Sequence, residues 1–354
     1  MAQASSFCDF ARKRSLGAAS KYHWGLPCTN YRITNMQAAI GLEQVKKMDR
    51  VIAKRNENAG DLTQRLKVIP GVETPEEPPW GERVYYYYPS LEVNTSMVLF
   101  IMIDGLRPDA VAPAHCPHLA TTLAKGASTL GATSVMPSIT LPCHMSIFHS
   151  VPPTRHGVTT NEWSPMARPL PGLVDVARAA GLHCAFFYNW EPLRNLSQPG
   201  SLSFAYFRDN VETPEGDQVI AEVAARTMAA DRPDFAFVYF GTVDTAGHAY
   251  GWLSDGYLAQ LAKVDRALNV VLQSVPDDGH VLIQSDHGGH ARSHGTHSAD
   301  DMTIPWIVAG PRIRPNGTLA APVSLLDTAP TLARLLNIAP HPQWEGRCVE
   351  EAFQ

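Results

Sequence analysis

Asp104, Asp244 and Asp286 share one setting: each closes an apolar run, MVLFIMI before the first, FAFVYFGTV before the second and HVLIQS before the third. Histidines stand beside two of them. His248 lies four residues after Asp244, His287 directly follows Asp286, and His294 and His297 come shortly afterwards. Carboxylates crowded together repel unless a cation joins them, and mixed carboxylate and imidazole donors suit zinc or a similar divalent metal. The residue types therefore predict a metal site. Taken singly, Asp104 before Gly105 has the alternative of shaping a turn, and His287 that of a satisfied core histidine. The small TAG between Asp244 and His248 predicts a tight turn at a metal rather than a helix-face pair.

A sheet must position these residues. Apolar runs rich in Val, Ile and Phe have the pattern of strands buried on both faces of a parallel sheet, whose ligands gather at the strands' carboxyl ends. From Met97 onward such runs alternate with helical stretches at 172–180, 218–230 and 257–272, which predicts an α/β fold with a doubly wound, largely parallel central sheet. Before residue 95 the organisation differs. NYRITNMQAAIGLEQVKKMDRVIAKRNENAGDLTQRL predicts one long helix capped by Thr34, with Ile40, Val45, Met48, Ile52, Ala59, Leu62 and Leu66 at roughly helical spacing. PGVETPEEPPWGE breaks it, and VYYYYPSLEV is strand-like. The expected domains are 1–95, a helix-and-strand arm, and 96–354.

Composition narrows the function classes. The chain has 354 residues, enough for two domains or one large one. A formal charge of -5, with no Lys and Arg cluster beyond Arg12 to Arg14, argues against binding a nucleic-acid polymer. A small anionic substrate would then have to be held by metal. The six cysteines include no CxxC pair, which fits a reduced compartment. The N-terminus has no apolar signal-like core, and the run ending at Ile103 is too short for a bilayer, so the expectation is a cytoplasmic chain without a membrane partner.

The stretch from about Phe7 to Val93, with NYRITNMQAAIGLEQVKKMD, the PGV turn and VYYYYPSLEV, resembles the C-terminal part of the PLP-dependent sugar-nucleotide aminotransferases. The resemblance implies that Asn30 helped to hold cofactor phosphate. The lysine that forms the Schiff base lies upstream of this motif in that family and is absent here, so no PLP is expected and the arm is expected to be non-catalytic. Lys21, Lys46 and Lys47 are expected to be solvated charges. The arm's apolar stripe suggests self-association.

The stretch from about Met97 to the C-terminus resembles the nucleotide pyrophosphatase and phosphodiesterase branch of the alkaline phosphatase superfamily. Four ordered motifs carry this: IDGLRPD, PSITLPCH, VDTAGHAYG, and SDHGGHARSHGT running into DDMTIPWIVAGP. The resemblance implies an alkaline-phosphatase-like sandwich and two metal ions. Asp244, His248 and His294 would hold one ion, and Asp104, Asp286, His287 and the Thr140 hydroxyl the other. His290 and His297 compete with His294 for its place. The implied substrate is a small phosphate ester.

Thr140 is the expected nucleophile. A threonine hydroxyl is weak near neutral pH, and a bound divalent ion lowers the pKa of an oxygen ligand by several units. Pro142 is tolerated in a first helical turn and CHMSIFHSV can continue it, which predicts Thr140 at a helix N-terminus with backbone N–H groups facing an anion. In-line displacement at phosphorus would give a phospho-threonine intermediate. The alternative is Thr140 as a structural cap. Cys143 departs from the family, since the nucleotide-cleaving members carry Asn there against a phosphoryl oxygen. His144, His156 and Asn161 are further candidates for support. Three competing readings stand: a phosphonate hydrolase, a sulfatase, or a catalytically silent assembly module. Sulfatases need a cysteine or serine that can become formylglycine, and threonine cannot give that aldehyde.

Overall fold

The computed structural model describes residues 34–67, 74–75 and 96–354, with the backbone of Arg12–Lys13 and His23–Trp24, which pair antiparallel. The chain divides into two compact units, Met1–Asn94 and Thr95–Gln354.

In the first unit the expected single helix is two. Helix α1 spans Asn35–Val45 and α2 spans Met48–Leu66. Thr34 caps α1 in a reciprocal box: its hydroxyl accepts the Gln37 N–H and Gln37 Oε1 accepts the Thr34 N–H. The break arises because the Lys47 N–H turns to the Gln44 carbonyl, three residues back, before helical bonding resumes at Val51. Of the apolar stripe, Ala59 is buried, whereas Ile40, Val45, Met48 and Leu62 are exposed. VYYYYPSLEV lies outside the described residues.

The second unit is built on an eight-stranded sheet. In chain order its strands are β1 (Val98–Ile103), β2 (Ala127–Thr133), β3 (Cys184–Tyr188), β4 (Phe204–Phe207), β5 (Phe235–Phe240), β6 (His280–Gln284), β7 (Thr303–Ala309) and β8 (Gly317–Thr318). The spatial order is β8-β2-β7-β6-β1-β5-β3-β4. All neighbours are parallel except β7, which runs antiparallel to both β2 and β6. Every residue of β1 is buried. Val98, Phe100 and Met102 enter one core, and Leu99, Ile101 and Ile103 the other, as the two-residue period of a strand requires.

Helices flank this sheet: α3 (Pro117–Lys125), α4 (Thr140–His149), α5 (Leu173–Ala179), α6 (Gly216–Asp231), α7 (Thr242–Tyr250), α8 (Asp255–Leu272) and α9 (Thr328–Leu335). The three stretches expected to be helical correspond to α5, α6 and α8. The fold is α/β with a mixed, mostly parallel sheet. Among the described residues no helix is long and apolar enough to cross a membrane.

Candidate metal centre

The central strands β6, β1 and β5 are immediate neighbours, and each delivers its aspartate at the carboxyl end. Asp104 directly follows β1, Asp286 follows β6, and Asp244 lies in the first turn of α7, just past β5. Gly105 lets two of these ends approach: its φ is +68°, and a Cβ there would lie 3.0 Å from Asp244. The tight turn expected for TAG is not formed. Asp244 and His248 are an i,i+4 pair on α7, with Nε2 and Oδ2 3.4 Å apart. Glycine is needed at 247 for packing instead, because a Cβ there would meet the Trp252 ring at 2.6 Å.

His287 stands at the middle of the cluster. Its Nε2 is 3.3 Å from Asp104 Oδ1, 3.4 Å from Asp286 Oδ2 and 3.3 Å from Thr140 Oγ1. His294 Nε2 is 3.6 Å from Asp244 Oδ1. Two overlapping sets have ligand atoms within 4.8 Å of one another: Asp104, Asp286 and His287, and Asp244, His287 and His294. His248 stands outside both sets while touching Asp244. Of the three competing histidines, His294 reaches the cluster, His290 pairs with Asp301 at 2.7 Å, and His297 is exposed.

The donors are set up for a cation. Nδ1 of His248, His287 and His294 faces the carbonyls of Arg292, Gly288 and Ser138 at 3.0, 2.8 and 2.8 Å. A carbonyl only accepts, so each Nδ1 carries a proton and each ring turns its Nε2 toward the cluster, where its lone pair could meet a metal. Asp104 Oδ1, Asp244 Oδ1 and Asp286 Oδ2 are buried with no hydrogen-bond partner. Three such oxygens in one place are costly unless a positive ion meets them. These residues fit a divalent metal.

The electrostatics agree. Burial, then the charges of Asp286 and Asp244, holds Asp104 well above the usual carboxylate range. Burial and Asp244 push Asp286 up to about 8. Burial also works against ionised Asp244, but the His248 hydrogen bond and the nearby imidazoles outweigh it and hold that carboxyl low. The same bond raises His248 to about 9, whereas burial and His287 lower His294 to about 4. Without a metal, His248 is the proton-bearing partner of Asp244.

Thr140 is the first residue of α4, and Ile139 occupies the cap position, so Thr140 is not the side-chain cap of this helix. It lines a cavity of about 390 Å³ together with Asn161, Trp190, Glu212, Asp244 and His248. Cys143 is fully buried with Sγ 3.4 Å from Ser134 Oγ, and it does not line the cavity. The amide at the cavity is that of Asn161, whose Oδ1 accepts the Leu141 N–H at 3.0 Å. His144 is buried against the Thr140 carbonyl, and His156 pairs with Ser146 away from the cluster.

Two supporting residues were not anticipated. The Tyr239 hydroxyl donates to Asp104 Oδ2, and a buried tyrosine late in an apolar strand is the one sequence signal for it. The Trp252 indole N–H donates to the Gly105 carbonyl at 2.9 Å, and its ring meets His248 and His294 edge-on.

Residues 98–303 match the family model described as type I phosphodiesterase / nucleotide pyrophosphatase. The chain belongs to that family. A curated relative in it, ectonucleotide pyrophosphatase/phosphodiesterase family member 1 of Mus musculus, is 22% identical over 56% of this chain and 24% of its own length. The chain spans no more than 31% of the length of the curated relatives it matches. Murine ectonucleotide pyrophosphatase/phosphodiesterase 5, solved as an inactive threonine-to-alanine variant with AMP, superposes with a TM-score of 0.64 at 14% identity, covering 73% of this chain and 100% of that one. A phosphonate monoester hydrolase from Silicibacter pomeroyi gives 0.55 at 19% identity, over 72% and 75%. These likenesses show an alkaline-phosphatase-like fold. Residues 2–111 match the model of the DegT/DnrJ/EryC1/StrS aminotransferase family, a match that runs beyond the arm and past β1, where it overlaps the phosphodiesterase match.

Proposed function

We propose that this chain is a metal-dependent hydrolase of phosphodiesters whose nucleophile is Thr140. The observation that supports this most is the contact of Thr140 Oγ1 with His287 Nε2 at the edge of three unbonded carboxylate oxygens. We assign one zinc ion to Asp244, His248 and His294, and a second to Asp104, Asp286, His287 and Thr140. When bound, such ions supply positive charge that lowers the pKa of an alcohol and neutralises phosphoryl oxygens.

The chain's own residues do the rest. Thr140 Oγ1 gives up its hydroxyl proton as it attacks phosphorus, one ester oxygen departs on the opposite side with its electron pair and takes up a proton in exchange, and water then hydrolyses the phospho-threonine and returns a proton to Oγ1. Asn161 spends its carbonyl oxygen on the Leu141 N–H, which leaves its Nδ2 free to donate to a phosphoryl oxygen. This amide takes the role that the Cys143 departure had put in question. The solved relative inactivated by a threonine-to-alanine change is consistent with a threonine nucleophile.

The likeness to a phosphonate monoester hydrolase favours a second reading, in which a P–C compound is the substrate. A silent assembly module gives no reason for three buried, unpartnered carboxylate oxygens. The deciding experiment is a panel of phosphodiester, phosphomonoester, phosphonate ester and sulfate ester substrates with zinc-loaded protein. Fastest turnover of the diester is expected. Two bound ions per chain without hydrolysis of any phosphate ester would overturn the reading.

A further inference from the structure

Among the described residues, the cavity beside Thr140 is lined by no lysine and no arginine. Its carboxylates Asp104 and Asp244 belong to the metal cluster, but Glu212 does not. Glu212 is exposed and has no hydrogen bond or ion pair among the described residues. Trp190, half-buried against the core, supplies an aromatic wall to the same cavity.

Both residues sit on backbone that is tied to the helix carrying Asp244. The Thr245 hydroxyl donates to the Val211 carbonyl at 3.3 Å, and Val211 packs on Gly241, where a Cβ would come within 2.6 Å of it. Asn189, next to Trp190, donates to Asp217 Oδ1 at 2.8 Å. That buried carboxylate also accepts the N–H groups of Gly241 and Thr242, each at 3.1 Å. Asp217 therefore locks the Trp190 wall to the start of α7. A carboxylate and an indole presented on a fixed wall attract a cation, and the same wall repels an anion.

We propose that Glu212 and Trp190 form a subsite for a positively charged ester group, so that the substrate is a phosphodiester of an amino alcohol bearing a primary or quaternary ammonium. This rests on the Thr140 reading above. The reaction is unchanged: the Thr140–phosphorus bond forms, one ester P–O bond breaks, and water later returns the threonine. An ester that carries a second anionic group, such as a further phosphate, meets Glu212 with no lysine or arginine among the described residues lining the cavity to offset it.

The test is a matched series of p-nitrophenyl diesters whose second alcohol is ethyl, 2-aminoethyl, 2-(trimethylammonio)ethyl or 2-carboxyethyl, assayed on zinc-loaded full chain. KM for the cationic members is expected about tenfold below that of the ethyl diester, with the carboxylate member weakest. Glu212→Gln should bring the KM values together, and Glu212→Lys should invert their order. Trp190→Leu should weaken the quaternary compound more than the primary one, since the aromatic face is worth most to the less hydrated cation. Hydrolysis of the ethyl diester with no charge preference, or a preference that survives Glu212→Gln, overturns the subsite alone. No hydrolysis of the ethyl diester overturns the Thr140 reading and the subsite with it.

Discussion

The imidazole rings of His287 and His294 lie face to face, their centroids 3.8 Å apart and their planes 13° from parallel. Burial disfavours a charged ring, and repulsion between two positive rings at that distance adds to the cost, so His294 is held down to about 4. At neutral pH His294 therefore presents an uncharged ring to Asp244. The protons that compete with a metal therefore sit on the acids and on His248.

The pH dependence follows from Asp286. Its folded pKa is about 8, above the ordinary carboxylate value of 3.8, so the metal-free fold binds a proton that the unfolded chain has released. Stability of the metal-free protein is fully present below about pH 4 and is lost as pH rises toward 8, as far as this group is concerned. Metal affinity has the opposite trend, rising with pH up to about 8 as the proton leaves. Thermal melts of chelator-treated and zinc-loaded protein from pH 5 to 9 check both. A metal-free melting temperature that climbs across that range would contradict the assignment.

Thr140→Ala is expected to keep the fold and most metal binding while lowering diester turnover by several orders of magnitude. Thr140→Ser should retain a measurable share, because it keeps an oxygen for phosphorus. Rapid acid quench with labelled substrate should place the phosphoryl group on residue 140. Parental turnover in the alanine variant would make Thr140 a structural residue only.

Trp252→Phe removes the indole N–H that holds the Gly105 carbonyl and loosens the ring against His248 and His294. Outer partners of metal ligands are worth roughly 10–100-fold in affinity. Competition with a chelator should show that loss. Unchanged affinity would mean that Trp252 only fills space.

The choice among neighbouring histidines can be read in metal content. His294→Ala should release one ion per chain, whereas His297→Ala, at an exposed position, should leave zinc stoichiometry and turnover within about twofold of the parent. Elemental analysis after gel filtration decides between them, and the reverse pattern would reassign the ligand.

A chain from Met97 to Gln354 is expected to fold, bind two ions and turn over substrate, because every proposed ligand and both faces of the core lie within that span. The exposed stripe of α1 and α2 is expected to drive self-association of the full chain. Size-exclusion profiles and rates of the two forms test this. A truncated protein that is folded and metal-loaded yet inactive would give the arm a part in catalysis.

The three aspartates were legible because burial on both faces writes a strand as an uninterrupted apolar run, and the run's end is where a parallel sheet exposes its ligands. The α5, α6 and α8 helices were legible through their period. The break at Lys46 and Lys47 was not, since the apolar spacing continues across it and one redirected N–H makes the difference. TAG misled for a related reason: small residues suit a tight turn, but here the missing Cβ of Gly247 makes room for Trp252. Asn161 was among the residues expected to support the site, but its bond to the Leu141 N–H was not foreseen, and Tyr239 and Trp252 were missed because their partners Asp104 and Gly105 are set by tertiary packing.

The adjacency of β6, β1 and β5 has a consequence for how the protein is made. Asp104 is synthesised early in the second unit and His294 much later, with most of the unit's helices between them. On the ribosome the first carboxylate must wait for partners not yet translated, so the proposed donor sets cannot be complete in the early chain. Under the proposed assignment, the ion held by Asp244, His248 and His294 would complete its donor set only after His294 has been made.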